Sequence, residues 1–151
     1  MFRLDQALKV YSPSRSTQAA RTLYEGLRPD GMLMSDGYEP YVAIVEQHRL
    51  GHLGCWAHCR RYFHEALRAL PKDKRGPEQL PPRFIGLIGR LHKVEADARR
   101  DELEAQALQH LHGVLPGSML GKALHYLTTR WPKLVRNVDD GRYPIDNNAC
   151  E

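Results

Sequence analysis

The stretch "MLMSDGYEPYVAIVEQHRLGHLGCW", Met32 to Trp56, decides the fold. Met32-Leu33-Met34-Ser35 is a short run of the kind that forms a strand buried on both faces, and it ends in the turn pair Asp36-Gly37. Tyr38 to Gln47 reads as a helix, and His52 to Trp56 as a second short strand. Strand, helix and strand in this order specify a parallel α/β unit, because parallel neighbours need a crossover connection. A carboxylate, Asp36, thereby stands at the carboxyl end of a buried strand, where open α/β sheets place their sites.

Working outward, Leu4 to Tyr11 alternates as a strand does, Ser12-Pro13-Ser14 interrupts it, and Ser16 or Thr17 opens a helix to about Leu27. Arg28-Pro29-Asp30-Gly31 makes a turn. Downstream, Ala57 to Leu70 forms a helix carrying Arg60, Arg61 and Arg68, and Pro71 to Pro82 is a charged, proline-rich break. Phe84, Leu87, Ile88, Leu91, Val94 and Ala98 keep the spacing of an amphipathic helix, which is expected to run on to His112. Leu120, Leu124, Leu127 and Trp131 mark another helix, continuing past Pro132 toward Val138. The expected class is α/β and helix-rich overall. It divides into a core over 1–70, a helical insertion over 71–140, and the start of a last core helix over 141–151.

The chain has 151 residues, 42% of them hydrophobic, enough for one domain with a core. Lys and Arg number 22 against 18 Asp and Glu, a net +4, which favours polyanionic partners such as nucleic acid. No apolar run approaches the roughly 20 residues of a membrane span, and Met1-Phe2-Arg3-Leu4-Asp5 is too polar for a signal peptide. Cys55, Cys59 and Cys150 are an odd count without the density of a disulfide scaffold, in keeping with a reducing compartment, so a cytoplasmic location is expected.

The terminal "GRYPIDNNACE" carries helix-start chemistry. Tyr143 precedes a proline and is pushed toward extended backbone; Asp146, Asn147 and Asn148 are capping side chains, and Glu151 follows Asn148 at capping-box spacing. Asp36 and Glu151 each have a commoner structural role, a turn residue and a cap partner. Cys55-x-x-His58-Cys59, with His48 and His52 near, invites a zinc reading, but structural zinc usually takes two separated ligand pairs and a fourth ligand is not evident. Arg60 and Arg61 are candidates for DNA phosphate contacts, and His58 for a phosphate-facing imidazole, against the commoner solvated face.

"LMSDGYEPYVAIVE", "HLGCWAHCRRYFHEAL", "LIGRLHKVEADAR" and "GSMLGKALHYLTTRWPKLVRNVDDGRYPIDNNACE" resemble, in order and spacing, successive blocks of the insertion sequence 66 family of transposases. "YSPSRS" resembles the segment before them, so the likeness covers nearly the whole chain. It implies a partial ribonuclease-H-like fold in which two Asp and one Glu bind divalent metal, with Asp36 the second Asp and Glu151 the Glu. Mg²⁺ or Mn²⁺ in a two-ion site, ions roughly 3.5–4 Å apart, would then assist in-line transfer at phosphorus on double-stranded DNA.

The first Asp of that pattern belongs upstream of "YSPSRS", and Asp5 falls on what the resemblance makes the third strand, so the role does not pass to it. The expectation is therefore a fragment of a longer DNA transposase, inactive alone and prone to self-association. The alternative is a non-catalytic remnant acting as a basic helical module for DNA or protein.

Overall fold

Ser16 opens the first described helix because its hydroxyl oxygen accepts the Ala19 amide at 3.2 Å, leaving Thr17–Leu23 as helix α1. This computed structural model describes residues 16–26, 29–91, 96–139 and 143–146. The strand expected at Leu4–Tyr11, Asp5, Cys150 and Glu151 lie outside them.

The parallel unit forms as the sequence requires. Strand β1 (Met32–Ser35) is followed by helix α2 (Glu39–Gln47), with a proline in its first turn, and by strand β2 (Gly51–Gly54). The strands pair in parallel with Met32 opposite Gly51 and Ser35 opposite Gly54, so their carboxyl ends lie level. β2 stops before Cys55 and Trp56, which the sequence pattern extends into the strand. Trp56 instead begins helix α3 (Trp56–Ala69), and its backbone amide donates to the Ile145 carbonyl at 3.2 Å.

Trp56, Cys59, Phe63 and Ala66 form the buried stripe of α3. After a 3-10 turn at Lys72–Lys74, helix α4 (Leu80–Leu91) takes two prolines in its first turn, where a missing N–H costs no intrahelical bond. The apolar spacing from Phe84 to Ala98 suggested one continuous helix, but Leu91 ends α4 and helix α5 (Ala96–Leu111) packs back against it. Arg83 Nη2 reaches Gln106 Oε1 at 3.3 Å, a contact that a straight rod with a rise of about 1.5 Å per residue forbids. The physical reason is shared burial, since Phe84, Leu87 and Ile88 of α4 and Leu103 and Ala107 of α5 enter the same core.

Helix α6 (Met119–Leu134) starts where Ser118 Oγ accepts the Gly121 amide at 3.0 Å, and buries Ala123, Leu124, Leu127 and Leu134. It runs through Pro132, as the sequence allows, and a short helix α7 (Arg136–Asp139) follows. α6 packs on α3, α5 and β2, so one hydrophobic cluster spans the helices on both sides of the proline-rich break. Phe63 stacks on Phe84 with centroids 4.7 Å apart and planes 7° from parallel, tying α3 to α4. The described chain is thus helix-rich with a small two-stranded parallel sheet.

Candidate functional site at the carboxyl ends of the strands

Asp36 follows β1, and its neighbours fix its main chain from far along the sequence. The Tyr126 hydroxyl of α6 donates to the Asp36 carbonyl at 2.8 Å, and Arg130 Nη2, one turn on, donates to the Gly37 carbonyl at 2.9 Å. Gly37 has φ +92°, a conformation L side chains rarely adopt. A Cβ there would also lie 3.0 Å from the Arg130 guanidinium, so glycine admits both the turn and the arginine. The Asp36 side chain accepts the Tyr38 amide on Oδ1 at 3.0 Å, an Asx turn that leaves Oδ2 outside that bond.

Beneath the loop lies a buried polar pair. Ser35 Oγ and His52 Nε2 are 2.7 Å apart across the two strands, and Ser35 Oγ also accepts the Gly37 amide at 3.2 Å. Burial, with Lys133, Arg130 and Arg136 close by, holds the His52 imidazole down at about 4, so it is neutral at pH 7. Burial likewise raises the Tyr126 hydroxyl well above its ordinary value, which keeps it a donor to Asp36.

A second anchor binds the chain's last described segment to the same end of the sheet. Asn137, 5% exposed, accepts from Trp56 Nε1 at 3.2 Å and turns its amide toward the carbonyls of Pro144 and Ile145, each at 3.2 Å, and of Gly54 at 3.4 Å. Trp56 Nε1 also reaches the Leu134 carbonyl at 2.8 Å, and its ring meets Trp131 edge-on at 6.0 Å. Residues 143–146 are therefore tied to the end of β2, beside the strand that presents Asp36. The expected proximity of Asp36 and Glu151 involves a residue outside the described ones.

The remaining sequence candidates lie on α3. His58, in its first turn, has a buried Nδ1 with no hydrogen-bond partner among the described residues. Arg60 and Arg61 are exposed, and Arg61 approaches Glu65 at 3.9 Å. Among the described residues, α3 communicates with the Asp36 loop through Tyr62, whose ring lies 4.7 Å from that of Tyr126. Cys55 and Cys59 are buried, and burial pushes the Cys59 thiol up, away from the thiolate that binds metal. No group of three or more His, Cys, Asp or Glu among the described residues is placed to hold a metal ion.

Tyr126, Arg130 and Asn137 were missed from sequence. Their partners are local in space but 90 or 93 residues away for the first two, a relation no short spacing reveals. The family comparison embraces all of these elements at once: the model described as "Transposase IS66 family" matches residues 5–151. The chain belongs to the IS66 transposase family. No curated protein and no solved structure gives a significant match. In this IS66 family chain no helix among the described residues is long and apolar enough to cross a membrane.

Proposed function

We propose that this IS66 family chain carries part of the catalytic core of a DNA transposase, which cuts and joins double-stranded DNA by metal-dependent phosphoryl transfer on a ribonuclease-H-like fold. The observation that carries the reading is Asp36: a carboxylate at the carboxyl end of β1 in a parallel strand-helix-strand unit, with its main chain gripped by Tyr126 and Arg130. Asp36 is assigned as a metal ligand through its oxygen outside the Asx turn, and Glu151 as its partner carboxylate. Arg60, Arg61 and His58 are assigned to DNA.

The described residues gather no group of three or more His, Cys, Asp or Glu around Mg²⁺ or Mn²⁺, and such ions need several oxygens. The two-ion site therefore depends on carboxylates beyond the described residues. What this chain's own residues do is hold the Asp36 backbone rigid and keep neutral imidazole, not a further cation, under the loop.

Replacing Mg²⁺ with Fe²⁺ and generating hydroxyl radicals tests the assignment. Backbone scission is expected near Asp36 and in the last residues, and its loss in Asp36→Asn. Scission at Cys55–Cys59 instead would overturn the assignment in favour of a thiolate and imidazole site. With no group of three metal-ligating side chains among the described residues, the isolated chain is expected to leave DNA strands intact with either Mg²⁺ or Mn²⁺.

A second reading, a non-catalytic DNA-binding or protein-interaction module, is favoured by the Asx turn itself, since a purely structural aspartate makes the same bond to Tyr38. Metal-dependent nicking abolished in Asp36→Asn would exclude it.

A further inference from the structure

Three cations converge on the sheet from α6 and α7, the last helices among the described residues. Arg130 and Lys133 are one turn apart on α6, and Arg136 opens α7 at the next such interval. Arg130 donates to the carbonyl of Gly37 beside Asp36, and Arg136 Nη1 donates to the carbonyl of His52 at 3.3 Å, so the two guanidinium groups bracket the β1–β2 pair. Lys133 stands between them in sequence, half-buried, with no hydrogen bond or ion pair among the described residues. Among the described residues none of the three takes part in an ion pair. Each arginine has five N–H donors and spends one on a backbone carbonyl.

Such an arrangement is unfavourable by itself. Lys133 is held below its ordinary value by burial and by Arg130 and Arg136, and the carboxylates of Glu39 and Glu46 on α2 offset this only in part. Charges gathered with only partial compensation among the described residues, next to a carboxylate assigned to metal, favour an anion from elsewhere.

We propose that Arg130, Lys133 and Arg136 form a seat for backbone phosphates of DNA alongside Asp36, set by α6 and α7 in addition to the arginines of α3. The inference rests on the reading that the chain acts on DNA, and adds which residues hold the strand. Phosphate fits because the seat offers a fork-shaped donor on either side of a point charge, the donor types that recognise phosphodiester oxygens. Contacts of this kind position the duplex without reading its sequence.

The test compares wild type, Lys133→Gln and, as an equal charge change elsewhere, Lys74→Gln, using fluorescence anisotropy with a short random-sequence DNA duplex over a range of salt. One lost phosphate contact lowers the slope of log affinity against log salt by about 0.9, or about eight-fold in affinity at ~0.1 M salt. Lys133→Gln is expected to show that loss, to melt no lower than wild type because repulsion is relieved, and to differ from Lys74→Gln, which keeps the wild-type slope. Duplex binding is also expected to raise the titration midpoint of the His52 ring in proton NMR, since an anion would neutralise the cations around it.

Wild-type binding with an unchanged slope in Lys133→Gln overturns the seat while leaving the DNA reading intact. A lower melting temperature in Lys133→Gln also overturns it, because Lys133 would then pair with a carboxylate of its own chain. No duplex binding by wild type at any salt overturns the DNA reading itself and the seat with it.

Discussion

Replacing Asn137 with Ala removes a side chain that joins Trp56, the end of β2 and residues 143–146. Its two amide hydrogens face three carbonyls, so they satisfy at most two fully at once, and the Gly54 contact at 3.4 Å is the weakest. Two donor bonds and the acceptor bond from Trp56 are lost, each worth about 1 kcal/mol net. Trp56 Nε1 retains the Leu134 carbonyl, and the Ile145 carbonyl retains the Trp56 amide, so the orphaning penalty is limited. Asn137→Ala is therefore expected to cost about 2–4 kcal/mol. For a chain of this size that lowers the melting temperature by about 4–16 °C, measured by circular dichroism.

Hydrogen exchange adds the local readout: the Trp56 amide, bonded to Ile145, is expected to lose protection while the α4 and α5 amides exchange as in wild type at low denaturant. Asn137→Asp sharpens the argument. A carboxylate accepts from Trp56 but faces the other carbonyls lone pair to lone pair, so it is expected to match Ala at pH 7. Its folded-state pKa is raised, so the variant should regain stability relative to wild type as pH falls and the acid form donates. A change below about 0.5 kcal/mol in Asn137→Ala would refute the view that this residue anchors the segment.

His52 gives stability an opposite pH dependence. Folding needs it neutral, and between its ordinary 6.5 and its folded value of about 4 the unfolded chain holds the extra proton. Stability is thus expected to be complete above pH 6.5 and to fall as pH drops through that window, by up to about 3 kcal/mol, with the slope reduced in His52→Gln. Gly37→Ala is expected to destabilise by about 1–3 kcal/mol through its positive φ and the clash with Arg130, and a wild-type melt would contradict that. Phe63→Ala, which empties a fully buried stacked ring, is expected to cost about 3–5 kcal/mol in denaturant titration, with a smaller loss in Phe63→Leu.

Much of the topology is readable from residues 32–56 because periodicity and turn chemistry act over a few positions. β1 and α2 fall where Met32–Ser35 and Tyr38–Gln47 indicate, and Pro132 passes within α6. The break between α4 and α5 was hidden, because Val94 and Ala98 continue the apolar spacing of Leu87 and Leu91 and only burial of both helices in one core requires the chain to reverse. Trp56 was assigned to the strand for a similar reason: its aromatic character suits either element, and the deciding bonds come from Leu134, Asn137 and Ile145. Asp36 was legible as a residue at a strand end. The cations that bracket the strand pair were not, since Arg130 and Arg136 look like ordinary solvated helix positions until the fold carries them to the Gly37 and His52 carbonyls.

The edge-on contact of Trp56 and Trp131 has an optical consequence. Two indoles, the chain's two tryptophans, are held at 6.0 Å with planes 88° apart and couple their transitions, so the tryptophan part of the near-ultraviolet dichroism should come from this corner. Trp56 is bonded through its ring nitrogen to Asn137, so that signal reports whether the last described segment is seated on the sheet. In the far ultraviolet the same event is overlaid by the dominant signal of the helices. The protein thus contains its own label at the place where the strand ends and the terminal segment meet, and docking can be followed without attaching a dye.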